Sequence, residues 1–157
     1  MKVLFVCLGN ICRSPTAHGV FEHVVAENGL AEVITVDSAG TGDWHLGEAP
    51  DPRSVQAAKK RHYDLSPLRA RQVTRQDFFQ FDYILAMDHN NLADLERIKP
   101  GEYQGELNLF LSYGKKSNME DVPDPYYGLG DGFERVLNLI EQASDGLLNY
   151  IVKKHPL

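Results

Sequence analysis

The segment Cys7-Leu8-Gly9-Asn10-Ile11-Cys12-Arg13-Ser14 sets a thiol, five intervening residues, an arginine and a serine between an apolar run and a helical pattern. A turn that leaves a strand and opens a helix carries amide N–H groups without helical partners, and the aligned peptide dipoles add partial positive charge. Such a turn can hold a phosphate or another oxyanion. The amides of Leu8, Gly9, Asn10, Ile11 and Cys12 are the expected cradle, with Gly9 easing the turn. Arg13 adds a planar guanidinium fork that matches two phosphate oxygens, which a lysine does not. The same field favours a thiolate at Cys7, since cysteines at helix N-termini or beside arginine titrate at about 3.5–7.5 against about 8.5 for a free thiol. Ser14 offers a hydroxyl that can donate to the sulfur and ease its departure when a covalent intermediate breaks down. Taken alone, Cys7 at the end of a buried strand reads as an inert small hydrophobe. The whole constellation is what makes it a nucleophile.

Splitting an aryl phosphate also requires a proton for the leaving oxygen. Asp124 is the expected donor, in Val122-Pro123-Asp124-Pro125-Tyr126-Tyr127, where prolines on both sides restrict the backbone that carries the carboxyl. Protonating a phenolate whose conjugate acid has a pKa of about 10 contributes about 100- to 10,000-fold, and the same carboxylate can then activate water. By itself Asp-Pro reads as a turn.

These residues need elements to position them. Lys2 to Cys7 is a β-branched and aromatic run that reads as a strand buried on both faces, which favours a parallel sheet. Ser14 sits where an N-cap belongs, Pro15 suits the first helical position, and Ala17, Phe21, Val24 and Val25 form an apolar face ending at Gly29. Further strands are expected at Val33–Val36, Phe81–Met87 and Leu107–Leu111. A last helix is expected near Asp131, which pairs with Glu134 in a capping-box pattern and which Gly146 weakens locally. The expected fold is α/β: one domain over 1–157, an open parallel four-stranded sheet with helices on both faces and the phosphate loop after the first strand. In such sheets ligands bind at the carboxyl ends of the strands. The loops there are Leu8 to Arg13, Ser38 to Pro50, the neighbourhood of Asp88, and Ser112 to Gly132.

Composition narrows the function. With 16 Lys+Arg against 22 Asp+Glu the net charge is −6, the wrong sign for a general nucleic-acid or anionic-membrane binder. No apolar run approaches the ~20 residues of a membrane span, and Val3 to Cys7 is too short for a signal peptide. The two cysteines lie five apart and cannot frame a disulfide-rich secreted domain, so a cytoplasmic protein is expected. Residues 53–75 hold seven Lys/Arg and one acid, which reads as a solvated helix face or as a strip that steers phosphorylated chains. Trp44, flanked by Gly42, Asp43 and His45, reads as part of an exposed loop.

The signature Val6 to Pro15, the segments Val36-Asp37-Ser38-Ala39-Gly40 and Ala70-Arg71-Gln72, the run Phe81 to Asp88, and Asp124-Pro125-Tyr126-Tyr127 together resemble the low-molecular-weight protein tyrosine phosphatases over nearly the whole chain. The resemblance implies a phosphoric monoester hydrolase that needs no cofactor and no metal. In it Cys7 forms a phosphocysteine, Arg13 binds the phosphoryl oxygens, Ser14 assists the sulfur, and Asp124 is general acid and then base. It implies that Asn10, Ser14 and Ser38 form a hydrogen-bond network holding the loop, and that Cys12 traps an oxidised Cys7 as a reversible disulfide. It implies that Trp44, Tyr126 and Tyr127 wall a crevice deep enough for phosphotyrosine and too deep for phosphoserine. The implied partners are phosphotyrosine-containing proteins, tyrosine kinases among them. One departure stands out: several relatives carry a network histidine near the position of Leu68, and here the nearest is His62, six residues earlier.

Two other functions compete. An arsenate reductase on a related scaffold uses a relay of further cysteines, and only Cys12 is present to serve. A non-catalytic phosphotyrosine-binding module would have no use for Cys7, Arg13 and Asp124 together. Zinc held by Cys7, Cys12 and His18 lacks a fourth ligand at suitable spacing.

Overall fold

The computed structural model describes residues 1–114, 118–125 and 131–157. Four strands, β1 (Lys2–Cys7), β2 (Thr35–Gly40), β3 (Tyr83–Ala86) and β4 (Glu106–Leu109), form one parallel sheet in the order β2-β1-β3-β4. The helices are α1 (Arg13–Glu27), α2 (Pro52–Lys59), α3 (His89–Ile98) and α4 (Gly132–Lys154), with 3-10 turns at Arg75–Phe79 and Phe110–Tyr113.

The central strand explains the two-sided packing. Val3, Phe5 and Cys7 alternate onto one face, where they meet Phe21, Leu137 and Ile140 of α1 and α4. Leu4 and Val6 turn to the other face, against Phe78, Phe81 and Leu95. Period-two alternation therefore buries apolar residues on both sides, and the continuous hydrophobic run follows. Since β1 lies between β2 and β3, the chain leaves β1 in one direction and β3 in the other. The crevice between their carboxyl ends is the topological switch point.

Several boundaries depart from the sequence expectation. The second strand runs Thr35–Gly40, not Val33–Val36, because Thr35 to Gly40 pair in register with Lys2 to Cys7. Pairing with a central strand overrides the poor strand propensity of Asp37, Ser38 and Gly40. The third is shorter than expected, at Tyr83–Ala86. The fourth ends at Leu109, after which Phe110–Tyr113 tightens into a 3-10 turn. Helix α1 begins at Arg13 with Cys12 at the N-cap, so Ser14 is not the cap. The Cys12 carbonyl already accepts from the Thr16 amide (3.3 Å) and hydroxyl (2.6 Å), which closes the first turn upstream of Ser14. Asp131 does cap α4, but without a side-chain bond, so the expected capping box is absent. Gly146 lies inside α4 for a packing reason: a Cβ there would fall 1.8 Å from the Tyr113 carbonyl oxygen. Gly29 ends α1 as expected, with φ of 71°.

Candidate active site

The loop after β1 is held from outside. The Cys7 and Leu8 carbonyls accept from the amides of Thr41 and Gly42 (both 2.9 Å), and the Ile11 carbonyl accepts from Asp51 (2.8 Å). Gly40 brings β2 so close that a Cβ would lie 2.8 Å from the Leu8 carbonyl oxygen. Asn10 takes the left-handed conformation (φ 57°), which asparagine tolerates better than most residues. That conformation brings its amide to Cys7 Sγ, to which it donates at 3.2 Å. Its side chain is engaged at both ends: Oδ1 accepts the Arg71 amide (3.0 Å) and Nδ2 donates to Ser14 Oγ (2.8 Å). Because Ser14 Oγ accepts from Asn10, its own proton is left for Cys7 Sγ at 3.0 Å or the Ala39 carbonyl at 3.3 Å.

Arg13 is 4% exposed. Its Nη1 donates to Asp88 Oδ2 (2.6 Å) and to the Val122 carbonyl (3.1 Å), while Nη2 lies 3.8 Å from Asp124 Oδ2. Burial works against this charge, but Cys7, the Asp88 hydrogen bond and the charges of Asp88 and Asp124 outweigh it and raise the pKa. Asp88 has a second task. It is the N-cap of α3, its Oδ1 accepting the Asn91 amide at 2.8 Å. The sequence marks this position as a strand end on the ligand side; the Asx-type cap before a helix is the signal that identifies the residue.

A cavity of about 390 Å³ opens over the loop, lined by Cys7, Leu8, Gly9, Ile11, Cys12 and Arg13, with Trp44, His45 and Asp124 around them. Trp44 is 68% exposed, which agrees with the loop reading and excludes core packing. His45 was not expected here. It stands beside Gly9, where a Cβ would be 3.0 Å from its ring, and is tied to Glu48. Tyr126 and Tyr127 lie outside the described residues.

Other expected members stand behind the cavity. Ser38 Oγ meets His18 Nδ1 at 3.1 Å, and no direct bond joins it to Asn10. A histidine thus reaches this region from α1, although Leu68 holds no histidine and His62 does not contribute. Burial lowers the His18 pKa, opposed by the charges of Glu22 and Asp37. His18 Nε2 lies 3.5 Å from Glu22, so both ring nitrogens face groups other than the cysteines. Among the described residues no cluster of three or more His, Cys, Asp or Glu has a metal-binding arrangement. Cys12 is buried and free, and burial pushes its pKa up to about 12 despite a hydrogen bond with Ser54. Three arginines of the basic strip are engaged within the fold: Arg53 with Asp51, Arg61 with Glu141, and Arg71 with both Asp37 and Asp77. Among the described residues no helix is long and apolar enough to cross a membrane.

Fold and site together define a parallel α/β domain whose first strand-to-helix loop sets a cysteine at the strand end and an arginine in the first helical turn. The family model for low molecular weight phosphotyrosine protein phosphatase matches residues 2–157. A low molecular weight phosphotyrosine protein phosphatase of Schizosaccharomyces pombe is 48% identical over 134 residues, 85% of each chain. A crystal structure of a protein tyrosine phosphatase from Entamoeba histolytica superimposes with a TM-score of 0.95 at 39% identity, covering 98% of each chain. A Drosophila arginine phosphatase superimposes with a TM-score of 0.91 at 34% identity over 100% of each chain. The chain belongs to the low molecular weight protein-tyrosine-phosphatase family. It is a phosphatase, its substrates are phosphoproteins, and phosphate is the anion of its active site.

Proposed function

We propose that this enzyme hydrolyses phosphotyrosine and other aryl phosphate monoesters by two in-line transfers through Cys7. In the first, Cys7 Sγ attacks phosphorus, the S–P bond forms, the P–O(aryl) bond breaks, and the Asp124 carboxylic acid gives its proton to the departing phenolate. In the second, the Asp124 carboxylate takes a proton from water, the water oxygen attacks phosphorus, and the S–P bond breaks to release phosphate. Ser14 donates a hydrogen bond to the sulfur as it leaves, keeping its own proton. Arg13 and the amides of Leu8, Gly9, Asn10, Ile11 and Cys12 hold the three phosphoryl oxygens, whose charge is the main thing to stabilise. Asn10 keeps the loop in shape, with Ser38 behind it, and Trp44, Tyr126 and Tyr127 take the aromatic ring.

The observation that carries this reading is the sulfur itself: an amide at 3.2 Å and a hydroxyl at 3.0 Å converge on it, beneath a cavity shared with Arg13 and Asp124. The wider proposals are that residues 1–157 act as one phosphatase domain, that the protein works in the cytoplasm, that its partners include a tyrosine kinase, and that Cys12 is the redox partner of Cys7. The test is hydrolysis of p-nitrophenyl phosphate in chelator, with a ³²P-labelled phosphocysteine trapped by acid quench. Activity that survives Cys7→Ser, or that requires a divalent metal, refutes the mechanism. Phosphoarginine peptide, arsenate with thioredoxin, and tight phosphopeptide binding without turnover are the comparison arms. Preference for any of them over phosphotyrosine peptide refutes the substrate assignment.

A further inference from the structure

Pro123 and Pro125 limit the backbone torsions around Asp124 but do not attach that segment to the rest of the fold. Two backbone bonds do part of this work two residues earlier: the Val122 amide donates to the Met87 carbonyl (2.7 Å) and its carbonyl accepts from Arg13 (3.1 Å). One residue before that, the Asp121 carboxylate is seated on the first residue of α3. Its Oδ1 accepts the His89 backbone amide at 3.0 Å and lies 2.6 Å from His89 Nδ1. Glu120 Oε2 flanks the same ring, 3.5 Å from Nε2.

The chemistry of the contact is favourable in two ways. The first amides of a helix have no partner inside it, and a carboxylate near them is stabilised by the helix dipole. Asp88 takes the Asn91 amide and Arg13, while Asp121 takes the His89 amide. One helix end therefore holds both the phosphate-binding arginine and the chain that leads to the acid.

We propose that His89 and Asp121 are positioning residues for the general acid, fixing the height of Asp124 over the leaving oxygen. The proposal rests on the assignment of Asp124 as that acid. His89, Asp121 and Glu120 have 55%, 48% and 75% of their side-chain surface exposed, and ion pairs in that setting add little to global stability. Their effect is on where the acid sits. A displaced acid matters only when the leaving group needs a proton, so the dependence on leaving group separates positioning from general damage.

The experiment measures kcat/KM of His89→Ala, Asp121→Ala and the double variant on phenyl phosphate and on 2,4-dinitrophenyl phosphate, whose leaving group departs without a proton. Each single variant is expected to lose about tenfold on phenyl phosphate, a fraction of what a general acid contributes, and less than about twofold on the dinitrophenyl ester. The double variant falls no further than Asp121→Ala, which removes the backbone-amide contact as well as the ring contact, whereas His89→Ala removes only the latter. His89→Asn, whose Nδ2 occupies the place of Nδ1, restores the phenyl phosphate rate. Asp124→Asn is the reference: it must fall steeply on phenyl phosphate and much less on the dinitrophenyl ester, or the acid assignment itself fails. If Asp124→Asn behaves so while the His89 and Asp121 variants lose equally on both substrates, or on neither, the positioning proposal is overturned.

Discussion

Asp88 joins two things that a substitution can take apart. Its Oδ1 caps α3 through the Asn91 amide, its Oδ2 receives Arg13 at 2.6 Å, and its side chain is 19% exposed against 4% for Arg13. Loss of an Asp N-cap costs about 1 kcal/mol. Loss of a hydrogen bond to a charged group costs about 1.5–3 kcal/mol. The Val122 carbonyl and the carboxylate of Asp124 at 3.8 Å stay near the guanidinium, so the larger penalty of a wholly unpaired buried charge does not apply. Asp88→Ala removes cap and partner together and is expected to lose about 2.5–4 kcal/mol. Asp88→Asn keeps the cap acceptor but not the charge and is expected to lose about 1.5–3 kcal/mol. Urea unfolding at pH 7 measures both. Kinetics supply the second reading: with Arg13 less fixed, kcat falls in both variants, while inorganic phosphate, which now supplies the missing negative charge, inhibits at least as well as in the parent. If the alanine and asparagine variants are equally stable, the cap contributes nothing. If either keeps full kcat, Asp88 does not hold Arg13 in its working position.

Gly146→Ala is expected to destabilise by about 1–3 kcal/mol through overpacking against the Tyr113 carbonyl, read by thermal unfolding; a neutral result would show that α4 can shift. Cys12 has a pKa of about 12 and stays a thiol at neutral pH, so limited iodoacetamide at pH 7 labels Cys7 in the folded protein and leaves Cys12 unlabelled; equal labelling by mass spectrometry refutes this. The His18 pKa is lowered by burial, so the unfolded chain binds the proton first and stability falls as pH drops below about 6.5. His18→Gln flattens that part of the urea-stability profile between pH 7.5 and 5, and an unchanged slope removes His18 as its source. Trp44→Ala raises KM for aryl phosphates and leaves kcat within about twofold, because an exposed ring on the cavity rim holds substrate without touching the reacting atoms.

The β1 strand, the loop and α1 were legible because each level agrees: an apolar run, a turn, and a helical period follow in order. The position of Asp124 on the ligand edge followed from the strand-end rule alone. Other features depend on contacts between distant segments. Thr35 to Gly40 becomes a strand only because β1 lies beside it, and nothing local in Asp37-Ser38-Ala39-Gly40 says so. Ser14 has the residue type of a cap, yet its hydroxyl is drawn to Cys7 and Asn10 while the helix starts one residue earlier. His18 and Asp88 were obscured for the same reason. Their partners Ser38 and Arg13 are 20 and 75 residues away, and only the strand order brings them together.

That strand order also accounts for how an acidic protein carries an anion site. Among the described residues lining the cavity the one guanidinium is Arg13, and it is bordered by Asp88 and Asp124. What the switch point supplies is division of labour on one side chain. Nη1 is held by Asp88 and the Val122 carbonyl, which come from the ends of β3 and of the acid segment. Among the described residues Nη2 keeps the longer contact to Asp124, the one an entering phosphate can replace. A lysine would have one ammonium for both tasks. An arginine can be anchored through one nitrogen while another meets the substrate, and the carboxylate it gives up is the one proposed to move its proton next. Overall charge is a poor guide to such a site, because the proposed binding field comes from loop amides and one oriented fork.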